Sequence, residues 1–521
     1  MPKHLQNILV VSASTFGSRV LGLLRDKLSY AFFGVQAINS AFVFAWGLPN
    51  LFRRLLGEGA LTSSFIPILS EALERGGRPE AFKFLNQVLS RLFVVLVGVV
   101  IVSMAALAGA EKISGLEDQW RLGFEFGVIL MPYVLLVCLA AALLAALNVL
   151  GHYTVSALSQ VWLNLSMIFS LGLFGWYFGR TEMEQMYWQC AGVLVGGLLQ
   201  VGLPARQLYG EGWRPHWDWS WSPRLGQMLG LLAPGVFGAS ITQINVLVSG
   251  CFALSLNESA RTVLYASSRL MELPLGMFTI AFATVLFPKI ALLAAQGDRE
   301  GMAQSYAQGL RLIFAITVPA ALGLVILREP VVRVLFEGGK FDAAAVRETT
   351  PVIALGALGI PFFSLATLAT RGFHSMKDTR TPVRVAVWTF IVNLALTIAL
   401  MRPLGTPGLA LANLVSSIFQ SLALQRLLLH KDTPLARPEV GRALGVIAMG
   451  GVGMGLVTAA GWWGLTVALG DVTKLASYLA VALLIPVAVL IYFLLLRLGK
   501  FEDWPELQEM VGEVFRRGER S

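Results

Sequence analysis

Ser18-Arg19-Val20-Leu21-Gly22-Leu23-Leu24-Arg25-Asp26 lies inside the first apolar stretch of the chain. Two later stretches repeat the oddity. Leu48-Pro49-Asn50-Leu51-Phe52-Arg53-Arg54 closes the second, and Ser268-Arg269-Leu270-Met271-Glu272-Leu273-Pro274 lies well inside the eighth. An ionised side chain at bilayer depth costs at least ~2.5–3.5 kcal/mol on insertion scales. Such residues usually face a water-filled cavity, where they meet something negative. The reading that follows is a helical membrane protein with an anionic cargo.

Composition agrees. Of 521 residues, 56% are hydrophobic and 14% charged, and mean hydropathy is +0.69, whereas soluble domains carry roughly 25% charged residues. Fifty-two glycines suit membrane helices whose backbones approach closely. The net charge of +9 fits basic loops of a polytopic protein, and no nucleic-acid motif accompanies it. Cys138, Cys190 and Cys251 lack metal spacing and read as small core hydrophobes. The start Met-Pro-Lys-His runs directly into helix-like sequence, so the first segment is expected to be retained rather than cleaved.

About 20 apolar residues span a bilayer as a helix. On that ruler about fourteen segments emerge, with cores at 6–32, 38–57, 84–109, 122–149, 155–178, 187–208, 226–255, 262–290, 309–327, 345–375, 383–401, 405–430, 441–469 and 474–497. Arg and Lys concentrate in alternate connections: Arg75, Arg78 and Lys83; Arg206, Arg214 and Arg224; Lys377, Arg380 and Arg384; Arg426, Lys431, Arg437 and Arg442. That side is expected to be cytoplasmic. With an even number of segments, both termini lie there.

An internal repeat organises the segments. Pro132-Tyr133 precedes Asn164-Leu165 by the interval that separates Pro361-Phe362 from Asn393-Leu394. Leu48-Pro49 leads to Pro67 as Leu273-Pro274 leads to Pro288. Gly76-Gly77-Arg78 then matches Gly297-Asp298-Arg299, and Arg91-Leu92 matches Arg311-Leu312. The expected organisation is an N-lobe at 1–210, a linker at 211–225, a C-lobe at 226–430, two extra helices at 441–497 and a cytoplasmic tail at 498–521. Each lobe is one copy of a six-helix unit, the two copies parallel, as in other two-lobed transporters.

On a helical wheel, Ser12, Thr15, Ser18, Arg19, Gly22, Arg25, Asp26 and Ser29 fall within about 140° of arc. Asn50, Arg53, Arg54, Gly57 and Glu58 share a face of the second helix. Tyr265, Ser268, Arg269, Glu272, Gly276 and Thr279 form a stripe on the eighth. The expectation is that these stripes look into one cavity. Plainer readings exist. Arg53 and Arg54 suit the end of a helix, with stems in lipid and heads in water. Arg25 with Asp26, and Arg269 with Glu272, suit structural pairs. Arg19 has no acid among its nearest sequence neighbours. Pro49 and Pro274 should bend their helices and, with Gly22 and Gly276, are the gating candidates.

Enzymatic motifs are missing: no Walker loop, no H-E-x-x-H, no G-x-S-x-G and no intramembrane carboxylate pair. His4, His152, His216, His374 and His430 do not cluster. A non-enzymatic protein without cofactor is expected. The run Trp213-Arg214-Pro215-His216-Trp217-Asp218-Trp219-Ser220-Trp221 joins the lobes, and its tryptophans read as interfacial anchors. The acids and bases of 500–521 read as a solvated helix.

The chain resembles the MurJ/MviN family, the lipid II flippases of bacterial peptidoglycan synthesis. The resemblance rests on Ser18-Arg19-Val20-Leu21-Gly22 with Arg25-Asp26, Leu48-Pro49-Asn50-Leu51-Phe52-Arg53-Arg54 with Glu58-Gly59-Ala60, Phe65-Ile66-Pro67, Arg269-Leu270-Met271-Glu272-Leu273-Pro274, and Leu335-Phe336-Glu337-Gly338-Gly339-Lys340-Phe341. It implies the fold of the multidrug/oligosaccharidyl-lipid/polysaccharide exporter superfamily: an all-α, MATE-like architecture of two six-helix lobes, with two extra helices forming a groove for a polyprenyl tail. It implies a bacterial inner-membrane location and lipid II (undecaprenyl-pyrophosphoryl-MurNAc-pentapeptide-GlcNAc) as cargo. Peptidoglycan polymerases and membrane lipids are the implied partners. By resemblance the cavity residues are Arg19, Arg25, Arg53 and Arg269, supported by Arg54, Asp26, Glu272 and Asn50, because Arg forks onto phosphate oxygens.

Ser40 and Ser268 stand where relatives often carry Asp. For a cation, the seventh, eleventh and twelfth helices offer only the neutral Asn245, Asn393 and Asn413. The alternative within the same superfamily is export of another polyprenyl-linked glycan; a membrane enzyme acting on polyprenyl phosphates would need carboxylates or histidines that the sequence does not bring together.

Overall fold

The computed structural model describes residues 3–55, 61–275, 280–429, 438–470, 473–509 and 512. The described part of each of the fourteen expected segments falls on helix. Ten helical runs among the described residues are long and apolar enough to cross a membrane. The first, second, seventh and eighth expected segments are not among those ten, and each includes residues whose side chains lie outside the described set. Contacts divide the chain into two compact units, residues 1–262 with 338–340, and residues 263–337 with 341–520.

Unit 1 holds α1 (Lys3–Phe33), α2 (Ala37–Phe52), α3 (Leu61–Glu111), α4 (Asp118–Leu130), α5 (Pro132–Val149), α6 (Tyr153–Phe169), α7 (Trp176–Phe178), α8 (Glu182–Gly210) and α9 (Pro223–Leu256). Prolines and glycines mark where these helices break. Pro132 removes one backbone donor, but Met131 keeps helical angles (φ −56°, ψ −36°), so α4 and α5 read as one spanning segment with a flaw. Inside α3, Gly77 takes φ 67°, ψ −169°, a left-handed conformation that a Cβ would strain. This break separates a helical stretch at 61–76 from the third membrane segment. The sequence reading ended the second segment at 57 and missed that stretch, because Glu71, Glu74 and Arg75 dilute its hydropathy.

Small residues let α8 sit hard against its neighbours. A Cβ built on Gly192 would lie 2.7 Å from Ser170 Cβ and 2.9 Å from Met167 Cα, and one on Gly197 would lie 2.7 Å from the Tyr133 ring. Between α6 and α7, Ser170–Gly175 forms a π-helical turn, where the Ser170 hydroxyl donates to Trp188 O at 2.5 Å. Ser166 donates likewise to Gly192 O. Because the atoms facing Gly192 include backbone, Gly192→Ala should cost about 1–3 kcal/mol by overpacking. Gly202, on the same helix, has nothing within 4 Å, so Gly202→Ala should leave the melting temperature of the purified protein unlowered while Gly192→Ala depresses it. Equal melting temperatures would contradict this packing.

Unit 2 holds α10 (Ala260–Pro274, all but its first turn), α11 (Ile280–Ala295), α12 (Arg299–Ile326), α13 (Arg328–Phe336), α14 (Ala343–Ser375), α15 (Arg380–Leu404), α16 (Thr406–Leu429), α17 (Pro438–Leu469), α18 (Lys474–Leu479) and α19 (Ile485–Leu498). A π-helical turn at Ala480–Leu484 joins the last two. Gly297, in the loop that the repeat matches to Gly76-Gly77-Arg78, also takes positive φ, at 74°, and it divides α11 from α12. The core gathers Tyr306, Phe373, Leu424, Ile447, Tyr492 and Leu496 from five helices. Short α13 was not foreseen. It lies between the ninth and tenth expected segments, where Arg333 bridges Glu329 at 3.0 Å and Glu337 at 3.2 Å.

Candidate functional site

The polar face of α1 divides into two regions. Arg25 and Asp26 are both buried, 7% and 5% exposed. Arg25 Nε and Nη2 donate to Asp26 Oδ1 at 3.0 and 2.6 Å, and Nη1 donates to Asn164 Oδ1 of α6 at 3.0 Å. Asn164 returns a bond from Nδ2 to Ser18 O at 2.9 Å. A Cβ on Gly22 would lie 3.8 Å from that same Nδ2. One turn on, Ser29, Asn39 and Gln189 of α8 form a second buried polar set. Arg25 thus ties α1 to α6, and its donors are largely spent on protein acceptors.

Arg19, nearly two turns earlier, is half-buried. Among the described residues no hydrogen bond or ion pair engages it. A guanidinium at that depth without an acceptor is the kind of group that awaits an anion.

The end of α2 carries the next arginines. Pro49 is buried within the last turn of α2, and the backbone runs on past Phe52 as a π-helical turn over residues 53–55. Arg53 Nε donates to Asn50 Oδ1 at 3.1 Å, and Asn50 Nδ2 donates to Trp46 O at 3.0 Å. Asn50 therefore orients Arg53. The Arg53 side chain borders a cavity of about 280 Å³ that Ala141, Asn148, Ser156, Gln160 and Gln200 also line. Ser156 donates to Asn148 at 2.7 Å, and Tyr133 donates to Gln200 at 2.9 Å, so protein partners already occupy much of the neutral lining. Arg54 is exposed. Gly57 and Glu58 lie outside the described residues.

In unit 2, Arg269 is gripped along its own helix. Its Nε and Nη2 donate to the Tyr265 hydroxyl at 3.0 and 2.6 Å, and its Nη1 meets Glu272 Oε2 at 2.8 Å. Its Cζ also lies 4.8 Å from the Tyr265 ring centroid. This grip fixes the direction of the guanidinium without burying it, since Glu272 is half-exposed. The helix ends at Pro274; Gly276 and Thr279 lie outside the described residues.

Of the neutral cation candidates, Asn393 and Asn413 face each other in unit 2, with Asn393 Nδ2 donating to Asn413 Oδ1 at 2.7 Å. Thr397 donates to Asn393 Oδ1 at 3.2 Å. Asn245 lies on α9 in unit 1. Among the described residues no group of three His, Cys, Asp or Glu is placed to hold a metal. Ser40 is fully buried and shares a hydrogen bond with Thr262 at 2.9 Å, so it serves packing in unit 1.

Sequence reasoning missed two polar devices. Asn164 entered only as a marker of the repeat, although an amide in an apolar helix demands a partner. The other is the seat of the linker. Arg91 of α3 donates to Asp218 O at 3.2 Å, Trp219 O at 2.7 Å and Ser220 O at 3.0 Å, and stacks near the rings of Trp219 and Trp221. Asn86 binds Arg214 O at 2.9 Å and receives the Trp213 indole N–H at 2.9 Å. The Ser220 hydroxyl and backbone N–H donate to Asp218 and hold its carboxyl below the usual range. Trp217, Trp219 and Trp221 are exposed as anchors require, but Trp213 is 5% exposed and belongs to the core.

Comparisons with known proteins bear on what these sites handle. Residues 30–492 match the family profile described as lipid II flippase MurJ. A probable lipid II flippase MurJ of Vibrio cholerae serotype O1 is 32% identical over 513 residues, 93% of this chain and 96% of that protein. One from Rhizobium meliloti is 33% identical over 421 residues, 80% and 78% of the two chains. Among solved structures, a lipid II flippase MurJ in an inward closed conformation superposes with TM-score 0.74 at 24% identity, over 93% of this chain and 97% of that one. An inward-facing MATE-family transporter of the MOP superfamily gives 0.67 at 13% identity, over 82% and 98%. These structural likenesses carry the fold, as the sequence had implied.

Proposed function

The chain belongs to the lipid II flippase MurJ family, and from that premise we propose that it carries lipid II from the cytoplasmic to the outer leaflet of the bacterial inner membrane. The observation that supports this most strongly is the match over nearly the full length of both chains. Arg19 and Arg53 in unit 1 and Arg269 in unit 2 take the cargo's pyrophosphate. Arg19 supplies charge not already spent on protein, while Asn50 and Tyr265 with Glu272 aim the other two. Arg25 and Asp26 support the site by holding α1 on α6. No bond is made or broken in the cargo. The lobes of the repeat, residues 1–210 and 226–430, alternate access, with hinges at the interrupted helices near Pro49 and Pro274. The helices at 441–497 receive the polyprenyl tail, and both termini face the cytoplasm. Polymerases that consume lipid II are the partners this reading calls for.

Depletion in cells tests the proposal. Loss of this protein should accumulate intact lipid II on the inner leaflet. Accumulation of a lipid II precursor would assign it to synthesis, and accumulation of a different polyprenyl-linked glycan would assign it to another export route.

A further inference from the structure

The last two membrane segments, α17 and the run Lys474–Leu498, lie outside the internal repeat, so the repeat attaches them to nothing. Contacts within unit 2 do. Helix α17 presents small residues in two directions. A Cβ on Gly451 would lie 2.9 Å from Leu322 Cδ1 of α12, and one on Gly455 would lie 3.3 Å from Ile326 Cδ1. Gly450, Gly453 and Gly461 meet Tyr492, Leu495 and Leu484 instead. At one end of the pair, α13 packs on α18.

At the other end the chain turns back on itself. Lys500 takes φ 53°, an uncommon left-handed value for a residue with a Cβ, and the strap that follows lies on α12. Arg311 of α12 forks onto Asp503, Nε to Oδ2 at 2.6 Å and Nη2 to Oδ1 at 2.9 Å. Both side chains are buried, 10% and 6% exposed. Phe501 and Leu507 enter the core of unit 2, Trp504 sits edge-on to Phe493 at 5.9 Å, and Gln308 donates to Glu506 at 3.2 Å. This part of the tail is docked, contrary to the solvated helix expected from its charges, because its apolar residues and Asp503 share one side.

A buried ion pair breaks even on stability only with good fork geometry, so such a pair does more than tether a loose tail. The repeat matches Arg311 to Arg91, and Arg91 in unit 1 also clasps a strap, the linker after α8. We propose that Arg311 and Asp503 are positioning residues for transport, holding the last two membrane segments on unit 2 so that they travel with it as one body. The clasp stands on these contacts alone; its bearing on transport rests on the flippase reading.

The test uses the full chain in lipid nanodiscs, with Cys138, Cys190 and Cys251 replaced and spin labels at Leu358→Cys on α14 and Leu456→Cys on α17, both exposed positions. The expected distance distribution is narrow and unmoved by added lipid II. Arg311→Ala broadens it, and Arg311→Lys, which keeps charge but loses the fork, falls between. A distribution that shifts with lipid II, or that Arg311→Ala leaves unchanged, overturns the clasp. If the alanine variant is not recovered as a monodisperse protein, the lysine variant reads the same distance.

In proteoliposomes holding a fluorescent lipid II, Arg311→Ala should slow flipping severalfold, because removing one partner of a buried pair releases the segments it holds. A short thiol-reactive bridge between Gln308→Cys and Glu506→Cys should restore both distance and rate. Restored distance without restored rate, or a broadened distribution with normal flipping, overturns the positioning role. Failure of the unmutated protein to move lipid II would sink the flippase reading, while the spin-label distances still decide the clasp.

Discussion

A chain carrying Arg19→Ala and Arg269→Ala together fails to support growth of a strain depleted of its own flippase, at unchanged protein level in the membrane. The reasoning starts from what each guanidinium is bonded to. Arg19 is half-buried with no described partner, and Arg269 is held at the surface of α10 by Tyr265 and Glu272. Among the described contacts neither closes a buried network, so their removal is expected to leave the fold intact. A hydrogen bond to a charged group contributes about 1.5–3 kcal/mol, so losing two such contacts weakens cargo binding by roughly 10²–10⁴-fold. Lysine at either position keeps the charge without the fork and should be less harmful than alanine. Growth of the double alanine variant at the wild-type rate would show that the arginine stripes are structural. Blotting of membrane fractions separates lost transport from lost protein.

Arg25→Ala should fail differently: the protein itself disappears from the membrane. Arg25 is the main described partner of the buried Asp26 and donates to Asn164. Removing it takes the main described partner from a buried carboxylate and leaves the Asn164 amide oxygen without its donor, and breaking a buried pair in this way costs about 3–5 kcal/mol. Asp26→Asn placed in the same chain removes the buried charge and should recover part of the protein level. Arg25→Ala accumulating to normal levels while abolishing transport would return Arg25 to the cargo-binding set.

These two outcomes separate residues that the sequence grouped together. Arg19 and Arg25 share one stripe of α1 and one family motif, and nothing in their spacing says which meets solvent. The difference comes from Asn164, 139 residues further on, and long-range contacts of that kind leave no trace in local periodicity. The fourteen segments were legible because bilayer thickness fixes helix length. The repeat marked matching polar loops at Gly76-Gly77-Arg78 and Gly297-Asp298-Arg299, and the positive φ of Gly77 and Gly297 falls in them. The docked tail was not, since Phe501, Trp504 and Leu507 are spread among acids that suggest solvent. Trp213 likewise resembled its exposed neighbours until Asn86 gave its indole an acceptor.

This chain alone should move a pyrophosphate-linked lipid across a bilayer. Purified protein in proteoliposomes, with fluorescent lipid II initially in one leaflet and a membrane-impermeant quencher outside, measures that movement directly. Transfer should run well above that in protein-free liposomes, be abolished in the Arg19→Ala, Arg269→Ala variant and be absent for a polyprenol lacking the pyrophosphate. Transfer no faster than in empty liposomes, or equal for the uncharged polyprenol, would contradict it.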